Sequence, residues 1–213
     1  MLASMVDKIS SWKFVEEYPN ETEAMTRARM RAEELGVECI TASVGSHLAL
    51  LTSALGAKAI VEAGTGTGLS GLWLLAANTD AVLATIDVEP EHQAAAKVAF
   101  TEAGIKASRT RVISGRAIDV MSNMADAAYD LVFLDADRDT LDEQVREAAR
   151  LLRPGGVLAV SHALWRDRVP DPAMRDDATA IYRELLRYFK NTDAFTVALS
   201  PIGDGLLLAS RLA

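Results

Sequence analysis

Apolar positions along the chain follow two different rhythms. Over the first 56 residues they recur at helical spacing. Met25, Ala28, Ala32 and Leu35 form one stripe that stops at Gly36, and Val44, Leu48, Leu51 and Leu55 form a second that stops at Gly56. From Ala57 onward, short apolar runs at 59–63, 82–87, 110–114, 131–135 and 157–161 alternate with helical stretches, for example 90–103, 140–152 and 173–190. Strands that are apolar on both faces and separated by helices specify a parallel sheet covered on both sides. The last two runs, 195–199 and 206–210, are joined only by Ser200-Pro-Ile-Gly-Asp-Gly205. That link cannot carry a crossover helix, so an antiparallel hairpin is expected at the sheet's edge. The pattern therefore predicts an α/β fold: a doubly wound, seven-stranded, mostly parallel sheet. A helical extension at 1–56 precedes the sheet-bearing part at 57–213, all within one structural domain.

Composition narrows what such a fold does. Of 213 residues, 50% are hydrophobic and 24% charged, enough for a packed core and unlike a disordered chain. Lysine and arginine total 22 against 30 acidic residues, a net charge of −8 that repels phosphates and argues against nucleic acid as a partner. No apolar run is long enough to span a membrane, and the start, MLASMVDKIS, lacks a signal-peptide core, so a soluble, cytoplasmic protein is expected. The single cysteine, Cys39, excludes an internal disulfide and a cysteine-rich zinc site.

The first strand, Ala59-Ile-Val61, runs into Glu62-Ala-Gly64-Thr-Gly66-Thr-Gly68-Leu-Ser70 and then a helix carrying Leu72, Trp73 and Leu75. Glycines at a strand-to-helix turn let backbone approach a ligand closely, and the helix start offers free N–H groups. Asp87 ends the next strand, roughly 20 residues beyond Gly68, where a carboxylate can accept from both ribose hydroxyls. The spacing Gly64-x-Gly66-x-Gly68 departs from the dinucleotide pattern G-x-G-x-x-G. An acidic Glu62 at the loop's entrance disfavours a pyrophosphate and suits an ammonium group. A ligand with adenine, ribose and a cationic amino-acid end fits better than a nicotinamide dinucleotide, and S-adenosylmethionine is such a ligand. A nicotinamide-dependent oxidoreductase remains the less favoured alternative.

At five places in order the sequence resembles the class I S-adenosylmethionine-dependent methyltransferases, and more narrowly the catechol and caffeoyl-CoA type O-methyltransferases, especially uncharacterised actinobacterial members. The motifs are Val61-Glu-Ala-Gly-Thr-Gly-Thr-Gly68, Thr85-Ile-Asp-Val-Glu-Pro90, Tyr129-Asp-Leu-Val-Phe-Leu-Asp-Ala-Asp137, Leu151-Leu-Arg-Pro-Gly-Gly156 and Pro201-Ile-Gly-Asp-Gly205, so the likeness runs from about Ile40 onward. The resemblance implies a Rossmann-like sheet, a small-molecule hydroxyl as methyl acceptor, and a homodimer. By position, Glu62 and Ser70 would bind the methionine end with Gly64 and Gly66 passing beneath it, Asp87 would hold the ribose, and Gly68 and Val88 would also contact the cofactor. Gly115, Arg116 and Ala117 would border the adenine, and Asp135 would stand between cofactor and acceptor.

One part of the pattern breaks. The family's divalent metal takes an aspartate at the position of Asp135 and an Asp-Asn pair ending the later strand; here that pair reads Ser161-His162. Hard cations want oxygen donors, so no metal is expected, and His162 becomes the candidate base for the acceptor proton. Arg138 stands where the family usually carries lysine, and is expected either to steer an anionic acceptor or to pair with the acids beside it. A non-catalytic homologue that binds the cofactor without methyl transfer is the second alternative. The stretch 163–172, with Trp165, is expected to fold over the acceptor. Trp73 is expected in the core, Cys39 as a small buried side chain, and His47 and His92 as partly exposed polar residues.

Overall fold

The computed structural model describes residues 2–212, with side chains from Lys8 onward. Three helices lead: α1 (Leu2–Glu17), α2 (Glu23–Leu35) and α3 (Ala42–Ala54). Thr22 and Thr41 cap α2 and α3 by accepting the backbone N–H groups of Met25 and Val44, and α2 stops at left-handed Gly36. Then follow β1 (Ala59–Ala63), α4 (Leu69–Ala76), β2 (Val82–Asp87), α5 (Pro90–Glu102), β3 (Thr110–Ser114), α6 (Ala117–Met121), β4 (Tyr129–Leu134), α7 (Leu141–Leu151), β5 (Leu152–Val160), α8 (Asp177–Asn191), β6 (Phe195–Ser200) and β7 (Leu206–Arg211).

The seven strands lie in the order β3-β2-β1-β4-β5-β7-β6. All pairings from β3 to β5 are parallel, and β7 runs antiparallel between β5 and β6. The sheet is thus doubly wound, with the hairpin the short 200–205 link requires. On one face Met25, Ala28, Val44 and Leu48 pack with Leu72 and Phe100 against Ile60, Leu131 and Phe133. On the other, Val145, Tyr182 and Phe189 cover Val61, Val132 and Leu158. The leading helices therefore share the sheet's core instead of standing apart from it.

Two details depart from the sequence pattern. Leu35, on the predicted stripe, is exposed. The chain reverses at Gly36 directly after it, and Val37 turns inward in its place. β5 starts at Leu152, five residues earlier than the apolar run, because Leu152 pairs with Tyr129 before the register shifts across Arg153-Pro-Gly-Gly156. Buried Asp130 anchors this region: its Oδ2 accepts the N–H groups of Lys58 and Ala59 at 2.6 and 2.9 Å, and Arg153 meets its Oδ1 at 2.5 Å. That fixes where β1 begins, and so where its other end delivers Glu62.

The order of strands reverses between β1 and β4, and the crevice outside the carboxyl ends of strands at such a point is where open α/β sheets bind ligands. Among the described residues no helix is long and apolar enough to cross a membrane.

Candidate functional site

A cleft of about 420 Å³ opens at this point. Its floor is the β1–α4 loop, and its walls come from the ends of β2, β3 and β4 and from the 37–40 segment after α2. Gly64 has φ 95°, and a Cβ there would lie 2.2 Å from the carbonyl oxygen of Asp135, so the ends of β1 and β4 touch only because the side chain is missing.

Glu62, the fourth residue of β1, is fully buried behind this loop. Its Oε2 accepts from the Thr85 hydroxyl at 2.6 Å, and Thr85 in turn sits 2.7 Å from the Thr65 hydroxyl. Oε1 has no hydrogen-bond partner among the described residues. Burial pushes the carboxyl up to about 8, against the pull of the Ser70 and Thr85 hydroxyls, while the charges of Asp135 and Asp87 add to the rise. A carboxylate half-satisfied in a dry place is costly unless something positive completes it. Ser70, on the first turn of α4, lines the cleft directly in front.

Asp87 ends β2 facing the same cleft. Its Oδ2 accepts the Gly66 N–H at 2.9 Å and its Oδ1 the Glu89 N–H at 2.9 Å, so it already holds the glycine loop in shape. His92 approaches Oδ2 at 3.4 Å and also lines the cleft, a closer role than the surface position its sequence suggests. Val88, Gly115, Arg116 and Ala117 also line the cleft, whereas Gly68 lies outside its lining and packs against Ala96 of α5. Gln144, which sequence reasoning missed, faces the cleft from α7. Its Nε2 donates to the Asp137 carbonyl at 2.8 Å and to the Thr140 hydroxyl at 2.9 Å, while its buried Oε1 has no partner among the described residues. A glutamine on the same buried helix face as Leu141, Val145 and Ala148 was the signal available. Cys39 is a cleft wall, its thiol pushed up by burial and so uncharged; Trp73 is in the core.

Asp135, which follows β4, lines the cleft and leads to a largely charged group beside it whose other members, His162, Asp204, Arg138 and Trp165, do not line it. Asp135 Oδ1 accepts from the Ser161 hydroxyl and lies 3.3 Å from His162 Nε2. The opposite ring nitrogen, Nδ1, lies 3.2 Å from Oδ2 of Asp204, in the loop between β6 and β7. Burial lowers the tendency of His162 to ionise, but hydrogen bonds to Asp135 and Asp204 and their charges outweigh it and raise the ring to about 9. Held between two carboxylates the ring favours the imidazolium, a form with no lone pair to take the acceptor proton that the sequence reading gave it. Arg138 lies 5.0 Å above the Trp165 ring, which stacks on Tyr182 with centroids 5.1 Å apart. Arg138 pairs weakly with exposed Asp139 at 3.8 Å and lines a second cavity between α7 and α8, not the cleft itself. The loop carrying Asp204 is roofed by α1: Glu16 Oε1 accepts the Gly203 N–H at 2.6 Å, and Trp12 Nε1 donates to the Pro201 carbonyl at 3.3 Å.

These donors do not suit a hard divalent cation. Of the carboxylate at the family's position, Oδ1 meets both a hydroxyl and a cationic ring, and a histidine nitrogen replaces an oxygen donor. Among the described residues no group of three or more histidine, cysteine, aspartate or glutamate side chains is disposed around one point.

The family model described as O-methyltransferase matches residues 15–212. The match begins well before Ile40, where the motifs alone start. A Mycobacterium ulcerans protein provisionally named an O-methyltransferase is 50% identical over 193 residues, spanning 90% of this chain and 86% of that one. Among solved structures, a Corynebacterium glutamicum protein superimposes with a TM-score of 0.88 at 32% identity, over 97% of this chain and 98% of the other. The O-methyltransferase TomG of Streptomyces achromogenes, involved in tomaymycin synthesis and solved in complex with SAM, gives 0.82 at 27% identity over 96% and 98%.

Proposed function

The chain belongs to the O-methyltransferase family, and from that premise we propose that it methylates a hydroxyl oxygen of a small molecule from S-adenosylmethionine without a divalent metal. The observation that carries the cofactor assignment is the orphaned Oε1 of buried Glu62, which an ammonium group would complete. When bound, the cofactor supplies an electrophilic methyl group on a sulfonium sulfur. Ser70, with Glu62 buried behind the cleft lining, would hold its amino-acid end, Asp87 its ribose, and Gly115 to Ala117 with Gln144 its adenine. The cleft fits such a group in its donors as well as its size: carboxylates stand at the ammonium and diol positions, and an unpaired amide oxygen stands at the base.

Methyl transfer is a displacement, so the chain's work is alignment and charge. With no neutral base beside Asp135, the site suits a hydroxyl acidic enough to ionise readily, such as a phenol. Arg138 then supplies positive charge toward the acceptor oxygen, while His162, its two ring nitrogens held by Asp135 and Asp204, offsets the negative charge of those carboxylates. Asp135 orients the imidazolium, and the Trp165–Tyr182 stack offers a flat wall. As part of the same proposal the protein works in the cytoplasm as a homodimer. What supports pairing is α1, which exposes Ile9, Trp12, Phe14 and Tyr18.

Calorimetry with S-adenosylmethionine and S-adenosylhomocysteine tests the cofactor, and release of the latter in the presence of a panel of phenols, with and without EDTA, tests the reaction. Binding of both and EDTA-insensitive turnover are expected. Binding of NAD alone, or activity that stops on chelation, would overturn the reading.

A further inference from the structure

We infer that Asp204 is a positioning residue of the acceptor end, one carboxylate oxygen fixing the ring of His162 toward Asp135 and the other holding the turn that walls the same space. The inference rests on the methyl-transfer reading above and adds to it the device that sets its cationic side chain.

Asp204 Oδ2 is 3.2 Å from His162 Nδ1, while His162 Nε2 is 3.3 Å from Asp135 Oδ1. The ring is therefore held at both nitrogens by carboxylates from two different elements. A neutral imidazole has one N–H and can satisfy only one of them; the doubly protonated ring satisfies both and cannot flip without losing both. The other oxygen, Oδ1, accepts the backbone N–H of Arg166. That N–H belongs to a segment in which His162, Trp165, Arg166 and Asp167 all have φ between 45° and 59°, the left-handed region that non-glycine residues avoid.

Such a backbone persists only where its surroundings hold it. Here Asp204 contributes twice. Its carbonyl takes the Leu164 N–H at 2.9 Å, beside the Gly205 carbonyl taking the Ala163 N–H at 2.9 Å, and its side chain takes the Arg166 N–H. Gly205 permits this closeness, since a Cβ there would lie 2.6 Å from the Leu164 backbone nitrogen. The charged groups on the ring itself are Asp135 after β4 and Asp204; beside them Tyr182 on α8 feels Asp135, Arg138, Asp204 and Glu38, the last paired with Arg166 at 3.0 Å. Of the two carboxylates on the ring, Asp204 also holds the turn.

The charge is what an amide cannot replace. Asparagine at 204 can still accept from Arg166, but its amino group would face Nδ1 as a donor and force the proton off that nitrogen. Protein labelled with ¹⁵N-histidine gives long-range proton–nitrogen spectra in which only His47, His92 and His162 appear, and His162→Gln identifies the third by its loss. At pH 7 the wild type should show His162 protonated at both nitrogens. Asp204→Asn should convert it to the form protonated at Nε2 only, Asp204→Glu should restore the Nδ1 proton, and calorimetry should find S-adenosylhomocysteine affinity unchanged in both. Identical His162 spectra in wild type and Asp204→Asn would overturn the inference. So would a wild-type His162 lacking the Nδ1 proton, a result that needs no variant to fold. Because none of these spectra depends on turnover, failure of the methyl-transfer reading would be seen separately, in the binding and activity assays.

Discussion

The cleft and the charged row beside it are made by opposite means. At the cofactor end, side chains leave strands at fixed register and meet backbone: Asp87 takes the Gly66 N–H, and Gly64 lies against the Asp135 carbonyl. At the acceptor end, charged side chains from three loops meet one another: Asp135, His162 and Asp204 in a row, with Arg138 and Trp165 beside them. A sheet can enforce the first arrangement whatever the acceptor is. The second depends on the identity of each residue, which is where one family member can differ from another without disturbing the cofactor.

The sharpest way to break this contrast is at its meeting point. Gly64→Ala should strain the backbone and drive a Cβ into the Asp135 carbonyl, costing about 3 kcal/mol or more of stability and abolishing S-adenosylhomocysteine binding, read by thermal melting and calorimetry. His162→Gln should act on one end only: kcat with the best phenol falls ~10²–10³-fold, because the Asp135 and Asp204 carboxylates lose the positive charge between them, while cofactor affinity holds. If affinity fell in step with kcat, the two ends would not be separable.

Asp87→Asn should weaken S-adenosylmethionine by roughly 10- to 100-fold, the loss of charge-assisted hydrogen bonds, and leave the His162 spectrum as it is. The smallest effects are pH slopes in the ligand-free protein. Glu62 is raised from 4.5 to about 8, so the stability it contributes is full below pH 4.5 and is lost as pH rises through 8. His162 is raised from 6.5 to about 9, so its contribution is full below pH 6.5 and is lost as pH rises through 9. Melting curves should therefore show Glu62→Gln flattening the decline between pH 5 and 8, and His162→Gln flattening that between pH 7 and 9. Saturating S-adenosylmethionine should erase the first slope and spare the second.

The same contrast governs what the sequence could reveal. The glycine loop, Asp87 and the terminal hairpin are written in short stretches whose period and spacing have direct geometric meaning, and the structure bears out the sheet they imply. The substitution at Ser161-His162 was visible too, but its consequence was not. His162 reads as a neutral base until Asp204 is brought to its other nitrogen from 42 residues away, and no local pattern announces that encounter. Gln144 was overlooked although it breaks the apolar stripe of Leu141, Val145 and Ala148, and what its inward amide faces, the cleft, is set by the packing of α7 and not by local pattern. Leu35 erred the other way, its period implying burial where the chain turns back first.

Sequence separation also orders events in time. Glu62 meets Thr85 across 23 residues and Gly66 meets Asp87 across 21, whereas Arg166 reaches Glu38 across 128 and Gly203 reaches Glu16 across 187. Closing longer loops costs more chain entropy, and contacts between distant residues form more slowly. A refolding chain thus assembles its nucleotide cradle from neighbouring segments first. It completes the charged row at His162 only once β7 has slotted between β5 and β6 and α1 has closed over the loop before it. Recovery of cofactor affinity then runs ahead of recovery of turnover, and the interval between them measures the docking of the last hairpin.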